Sequence, residues 1–248
     1  MVKLKTNKDI AVMGEGGKIL AAVLDKLSAA VRPGTTTEEI DMLARELLSS
    51  YGAKPSFLGY NGFPAALCVS VNEEVVHGVP SDRVLQQGDV VKLDLGAYYK
   101  GFHTDSARTV LIGGINDAKK QKLINVTSRA LELGTEAAQP GNTLGDVGHA
   151  IERYVKSEGF DVVRDLVGHG IGKNVHEEPE VLNYGKAGEG MRLEPGMVIA
   201  IEPMVVEGTW KIADGPDGFS FITKDKKLAA HFEHTVAITE RGPVILTQ

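Results

Sequence analysis

Residues 85–96 read LQQGDVVKLDLG and residues 193–204 read LEPGMVIAIEPM. Each is a glycine-containing turn feeding an apolar, β-branched run, and each run carries a carboxylate: Asp94 between Leu93 and Leu95, Glu202 at the end of MVIAI. Aligned at an offset of 108 residues, the stretches match Leu85 with Leu193, Gly88 with Gly196 and Asp94 with Glu202. Upstream, PGTTTEEIDMLARELLSSYGA at 33–53 aligns with PGNTLGDVGHAIERYVKSEGF at 140–160, an offset of 107 with five identities. Two matches at nearly one offset read as an internal repeat. They predict one domain over 1–248 built of two related halves, about 1–117 and 118–248, sharing one core.

Local chemistry gives each half helices followed by strands. Thr36 and Glu39 are spaced as a capping box, and Ile40, Leu43 and Leu47 follow at helical period, so the spacing predicts an amphipathic helix over 37–51. Leu144 to Lys156 is its counterpart, and Ile19 to Val31 is also patterned as an amphipathic helix. Asp89 to Tyr99, Met197 to Ile201 and Thr235 to Ile238 read as strands. The segment 57–80 (FLGYNGFPAALCVSVNEEVVHGVP) starts rich in Gly and aromatics and ends strand-like. Helices with mainly antiparallel strands make an α+β fold.

Composition excludes several classes. The chain carries 27 Lys and Arg against 33 Asp and Glu, a net charge of −6 that argues against nucleic acid as a required partner. A lone cysteine, Cys68, rules out an intramolecular disulfide and favours a reducing cytosol. The start, MVKLKTNKDIAVM, has no apolar stretch long enough for a secretory signal, and no window is long and apolar enough to span a membrane. The expected location is the cytoplasm. GHGIGK at 168–173 lacks the spacer and the Ser or Thr of a phosphate-binding loop, so it does not read as a nucleotide site.

A carboxylate in an apolar strand must be paired, protonated or bound to metal, because an unpaired buried charge costs several kcal/mol. Asp94 and Glu202 at equivalent places of a repeat meet if a two-fold relation joins the halves. Lys92 shares the face of Asp94 only if that face is open to solvent. A divalent cation is the simpler counter-charge. Asp105 follows Asp94 across a segment with a glycine suited to a hairpin, and Glu233 begins the last strand in the corresponding place. His169 lies in GHGIG, where flanking glycines allow close backbone approach to a ligand or metal. Two Asp, two Glu and one His suit two divalent ions better than one. His103, His149, His231 and His234 are read as non-ligands.

These residues sit in motifs that resemble the type I methionine aminopeptidases of peptidase family M24. RPGTTTEEID, GYNGFP, CVSVNEEVVHGVP, GDVVKLDLGAYYKGFHTDSART, GHGIGKNVHEEP, LEPGMVIAIEPM and FEHTVAIT occur in family order over nearly the whole chain. The resemblance implies the pita-bread (creatinase/aminopeptidase) fold, with a pseudo-two-fold antiparallel sheet core covered by helices. It implies a single catalytic domain that removes the initiator methionine from nascent proteins and peptides. Attack on the first peptide bond is by a hydroxide bridging two metal ions, and a small second residue is preferred. By resemblance the metal ligands are Asp94, Asp105, His169, Glu202 and Glu233, with Asp105 and Glu233 bridging.

Glu202 is then the general base, His176 stabilises the developing oxyanion and His77 contacts the scissile amide nitrogen. The methionine pocket by resemblance comprises Phe57, Tyr60, Phe63, Cys68, His77 and Phe219. Phe57, Val175 and Phe219 depart from the commonest bacterial pattern. The ligand set suits Mn, Fe, Co or Zn. The resemblance implies a monomer and is compatible with ribosome association. A proline-specific (Xaa-Pro) aminopeptidase or dipeptidase of the same fold and a metal-free peptide-binding relative are the competing readings. Only 33 residues separate His169 from Glu202 and 31 separate Glu202 from Glu233, leaving no room for the helical insertion of type II enzymes.

Overall fold

Four α-helices and a nine-stranded sheet organise the described residues, 2–113 and 117–248, of the computed structural model. The helices are α1 (Asn7–Ala30), α2 (Thr37–Ser50), α3 (Ala118–Ala137) and α4 (Leu144–Ser157). Those expected over 37–51 and 144–156 form as read, opened by the capping boxes Thr36/Glu39 and Thr143/Asp146. Helix α1 starts well before Ile19, because Thr6 and Asp9 make a third capping box that the apolar pattern alone does not register.

The large sheet runs in the order Lys54–Pro55, Val90–Tyr99, Phe102–Leu111, Glu233–Thr239, Val198–Ile201, Gly168–Gly170, Glu177–Val181. Leu67–Val71 pairs alongside Val90–Tyr99, and Gly242–Ile245 alongside Glu233–Thr239. Every one of these pairings is antiparallel. Glu233 opens its strand as expected, but that strand is not the last, since Gly242–Ile245 follows. Pro243 disguises it in the sequence and is tolerated because it lies on an edge strand.

The outer face of the sheet makes two apolar cores. Leu20, Leu24 and Leu27 of α1 and Ile40, Ala44 and Leu48 of α2 pack on Leu67, Val69, Val91, Leu93 and Leu95. Leu123, Ala130, Val147 and Ile151 of α3 and α4 pack on Ile199, Ile201, Val236 and Ile238. Each fully buried Leu or Ile among them contributes about 1.5–3 kcal/mol by leaving water. The halves also repeat each other bond for bond. Gly34 N–H donates to Leu85 O as Gly141 N–H does to Leu193 O, and Leu85 N–H donates to Thr35 O as Leu193 N–H does to Asn142 O. The expected seam near 117 borders residues 114–116, which lie outside the described residues.

Two glycines fix where the sheet carries His169. A Cβ on Gly168 would lie 2.3 Å from Ala200 O, and one on Gly170 would lie 2.2 Å from Glu178 O. The close approach that the structure shows at these glycines is to the neighbouring strands. Gly168→Ala must push these strands apart. We expect a loss of about 1–3 kcal/mol, read as a Tm drop of roughly 2–4 °C per kcal/mol in thermal denaturation; an unchanged Tm contradicts the packing described.

Candidate metal centre and adjoining pocket

The inner face of the sheet is where the carboxylates gather. Across the hairpin Val90–Tyr99/Phe102–Leu111, Asp94 stands opposite Ala107 and Gly96 opposite Asp105, while Ala107 in turn stands opposite Glu233. Directly paired residues share a face, so Asp94, Asp105 and Glu233 project together around the small Ala107. The turn at Lys100 and Gly101, both at positive φ, brings Asp105 back beside Asp94. Thr235 Oγ1 accepts from Asp105 N–H and donates to Asp105 O, each at 2.8 Å, locking the central strands of the two halves. Glu202 enters from the end of Val198–Ile201, and His169 from the short strand beside it.

Ligand atoms of Asp105, His169 and Glu233 lie within 4.8 Å of one another, and His169 Nε2 is 3.7 Å from Glu202 Oε1. Asp94, Asp105, His169 and Glu233 are buried. Asp94 Oδ1 and Glu233 Oε1 are buried without a hydrogen-bond partner. Burial, then the neighbouring carboxylates, pushes Asp94, Glu202 and Glu233 well above the usual carboxylate range. Burial raises Asp105 to about 7, against the Ser106 N–H bond that lowers it. His169 is lowered to about 3, first by burial and then by His176. Its Nδ1 lies 2.8 Å from Gly170 O, so Nδ1–H donates to that carbonyl and the Nε2 lone pair faces the carboxylates. Acceptor-only oxygens, orphaned and crowded around a neutral imidazole nitrogen, fit a divalent cation.

The sequence offers Lys92 as a partner for Asp94 only if its face is open to solvent. Its face is closed, and the side chain is buried at 1% exposure with Nζ donating to Asn72 O at 2.8 Å. Desolvation pulls its pKa down to about 7. The amine turns to backbone carbonyls rather than to Asp94, so it supplies no counter-charge to the cluster. His103 and His234 are held by Ser56 Oγ and Thr247 Oγ1, and His149 lies on α4, all away from the carboxylates. His231 is different: buried beside Glu202, with Nε2 3.5 Å from Oε2, it was read merely as a non-ligand.

A cavity of about 180 Å³ opens over the cluster. Its lining includes every residue singled out from the sequence: the five candidate ligands together with His77, His176, Phe57, Tyr60, Phe63, Cys68 and Phe219. Asn61, at φ 47, also lines it and was missed, because an exposed turn residue carries no pattern signal. Phe57, Phe63, Cys68 and Val175 form one apolar wall, and Phe63 meets Phe219 edge-on at 5.5 Å. Cys68 stands opposite Asp94 in register, and burial pushes its thiol far up, keeping it an uncharged wall atom.

At the rim, His176 Nδ1 lies 2.8 Å from Tyr60 Oη, and the His176 and His169 rings are 4.2 Å apart. Desolvation lowers His77 to about 4 and His176 below the usual imidazole range. His77 sits at φ 60, a strained backbone for a non-glycine, and Gly78 N–H donates to Ser70 Oγ directly after it.

Comparison with known proteins gives the family. Residues 11–240 match metallopeptidase family M24. The chain is 47% identical to methionine aminopeptidase 1 of Bacillus subtilis over the full length of both. It is 49% identical to the methionine aminopeptidase of Clostridium acetobutylicum, covering 100% of this chain and 99% of that one. The crystal structure of the Thermotoga maritima methionine aminopeptidase superposes with a TM-score of 0.98 at 44% identity, covering both chains fully. The prolidase of Pyrococcus horikoshii reaches 0.80 at 26% identity, with only 63% of that chain covered. The fold is thus the pita-bread α+β fold, and the chain belongs to the methionine aminopeptidases of metallopeptidase family M24.

Proposed function

We propose that this chain, acting as one catalytic unit of two halves (about 1–117 and 118–248), hydrolyses the first peptide bond of nascent proteins and peptides to release initiator methionine. The observation that carries the reading is the position of the carboxylate cluster, at the floor of an apolar, aromatic-walled pocket with room for one unbranched side chain. Asp94, Asp105, His169, Glu202 and Glu233 would hold two divalent ions, of Mn, Fe, Co or Zn. Four carboxylates offset the charge of two such ions. When bound, the metal polarises the scissile carbonyl, lowers the pKa of water and anchors the free substrate amine.

The chain's own groups supply the rest. Glu202 takes the proton of the attacking water and delivers it to the leaving amine. His176 is neutral, and in the tautomer in which its Nδ1 accepts from Tyr60 Oη–H, its Nε2–H is free to bond the carbonyl oxygen as charge develops. His77, also neutral, lines the same cavity and would contact the scissile amide. Phe57, Phe63, Tyr60, Cys68 and Phe219 enclose the methionine side chain, whose thioether suits sulfur and aromatic contacts. A cavity this small supports a preference for a small second residue. No helix among the described residues is long and apolar enough to cross a membrane. The proposed setting is the cytoplasm, where a monomer would meet nascent chains at or near the ribosome.

Glu202→Gln should lower kcat on Met-Ala-Ser by about 10²–10⁴-fold, the usual worth of a positioned general base. Chelation should abolish activity and Mn²⁺ or Co²⁺ restore it, while Xaa-Pro peptides stay uncleaved. Full activity of the variant or of metal-stripped protein, or faster turnover of Xaa-Pro than of Met-Ala, would sink the proposal.

The same carboxylates set the pH response of metal-free protein. Their raised pKa values mean that the folded chain keeps protons that the unfolded chain has already released, so rising pH removes stability. The depressed values of His169, His231 and His234 cost stability only below the ordinary value of 6.5. Lys92, lowered to about 7, opposes the trend by at most one proton against several. Chelated protein should therefore lose Tm as pH rises from about 6.5 to about 8, and metal-loaded protein should not. A metal-free Tm that is flat or rising over this window contradicts the burial and crowding assigned to the cluster.

A further inference from the structure

Imidazoles flank Glu202 on both sides. His169 Nε2 lies 3.7 Å from its Oε1, on the cavity side, and His231 Nε2 lies 3.5 Å from its Oε2. His231 does not line the cavity, and its ring is not among the donors within 4.8 Å of one another. It is 1% exposed, and neither ring nitrogen has a hydrogen-bond partner. The nearby Lys92 amine is itself a donor already committed to the carbonyls of Asn72 and Val90, so it cannot accept from the ring.

The backbone holds this ring in place with unusual redundancy. Thr109 Oγ1 donates to His231 O at 2.6 Å and accepts from His231 N–H at 2.9 Å. His231 also stands opposite Met204 in the small antiparallel sheet, two residues beyond Glu202. The segment that carries Glu202 and the segment that carries His231 are therefore registered to each other by main-chain pairing. A slight rotation of the carboxylate closes 3.5 Å to a hydrogen bond.

We propose that His231 is a positioning residue for Glu202: its Nε2–H donates to Oε2, fixes the carboxylate rotamer and leaves the Oε1 edge facing His169 and the cavity. This rests on the reading of Glu202 as general base and metal ligand. A carboxylate oxygen has two lone pairs, so the bond to His231 occupies the side of Glu202 turned away from the chemistry. Without the donor, Oε2 is left with no protein partner and Glu202 is free to swing, which degrades both metal holding and proton transfer.

The test compares His231→Leu and His231→Gln with wild type, all loaded with Co²⁺, by steady-state kinetics on Met-Ala-Ser and by calorimetric titration of metal-stripped protein with Co²⁺. His231→Leu should lose on the order of 10–100-fold in kcat and a similar factor in Co²⁺ affinity, the usual effect of removing a group that orients a ligand. KM should stay within about threefold, because methionine binding does not touch His231. His231→Gln keeps an N–H donor and should recover most of both losses. His231→Phe, which fills the space without donating, replaces the leucine variant if that one does not fold. Wild-type kcat and Co²⁺ affinity in the donor-less variants, or equal damage in the Gln and donor-less variants, overturns the proposal. Inactive wild-type holoenzyme overturns the parent reading as well; active wild type beside an unimpaired leucine variant overturns this proposal alone.

Discussion

Crowding of Asp94, Asp105, Glu202 and Glu233 on the inner face of one sheet is the constraint around which the molecule is arranged. Each carboxylate is desolvated, and each of Asp94, Glu202 and Glu233 is raised further by its neighbours. Such a set is unfavourable by several kcal/mol unless protons or cations offset it. The rest of the fold supplies rigidity against that repulsion. Two helix-backed apolar cores hold the outer face, and Thr235 and Ser106 stitch the central strands of the two halves together. The unfavourable cluster persists because the surrounding packing over-determines it.

Neutral histidines complete the arrangement. His169 is turned by Gly170 O so that it offers a lone pair rather than a proton, and a cation there would meet a ligand instead of a competitor. His176 takes its orientation from Tyr60, a residue that also walls the pocket. In the proposed reading, substrate recognition and catalysis share that side chain, and one continuous surface would position methionine in the pocket and the scissile bond above the carboxylates. His77, with its strained backbone, lines the same cavity.

Much of this was legible in the sequence where a residue contradicted its surroundings. Asp94 and Glu202 stood out because strands that read VVKLDLG and MVIAIEP do not accept carboxylates without a partner. The repeat at offsets of 107 and 108 has a structural counterpart in the paired bonds of Gly34/Leu85 and Gly141/Leu193, but where the repeat suggested one shared core the helices pack in two, one behind each helix pair. Lys92 supplies no counter-charge, as its place in an apolar strand implied, but alternation along the strand does not foretell the route of its long flexible amine, which reaches the carbonyls of Asn72 and Val90. His231 was passed over because its direction depends on the long-range pairing of Ala229–His231 with Met204–Val206, which no local spacing encodes. The glycines around His169 also admit the adjacent strands, a long-range contact that no local spacing encodes and through which the imidazole is placed.

Proton release on metal binding tests the central claim most directly. If the cluster holds protons at neutral pH because its carboxylates are buried together, divalent cations must displace them. Co²⁺ titration of chelator-stripped protein at pH 7, by calorimetry in buffers of differing ionisation enthalpy, gives the stoichiometry and the protons released per ion. The account predicts stoichiometric binding with net release of at least about one proton per chain, abolished with the binding itself in Glu233→Gln. Binding with no proton release, or no binding at all, would contradict it.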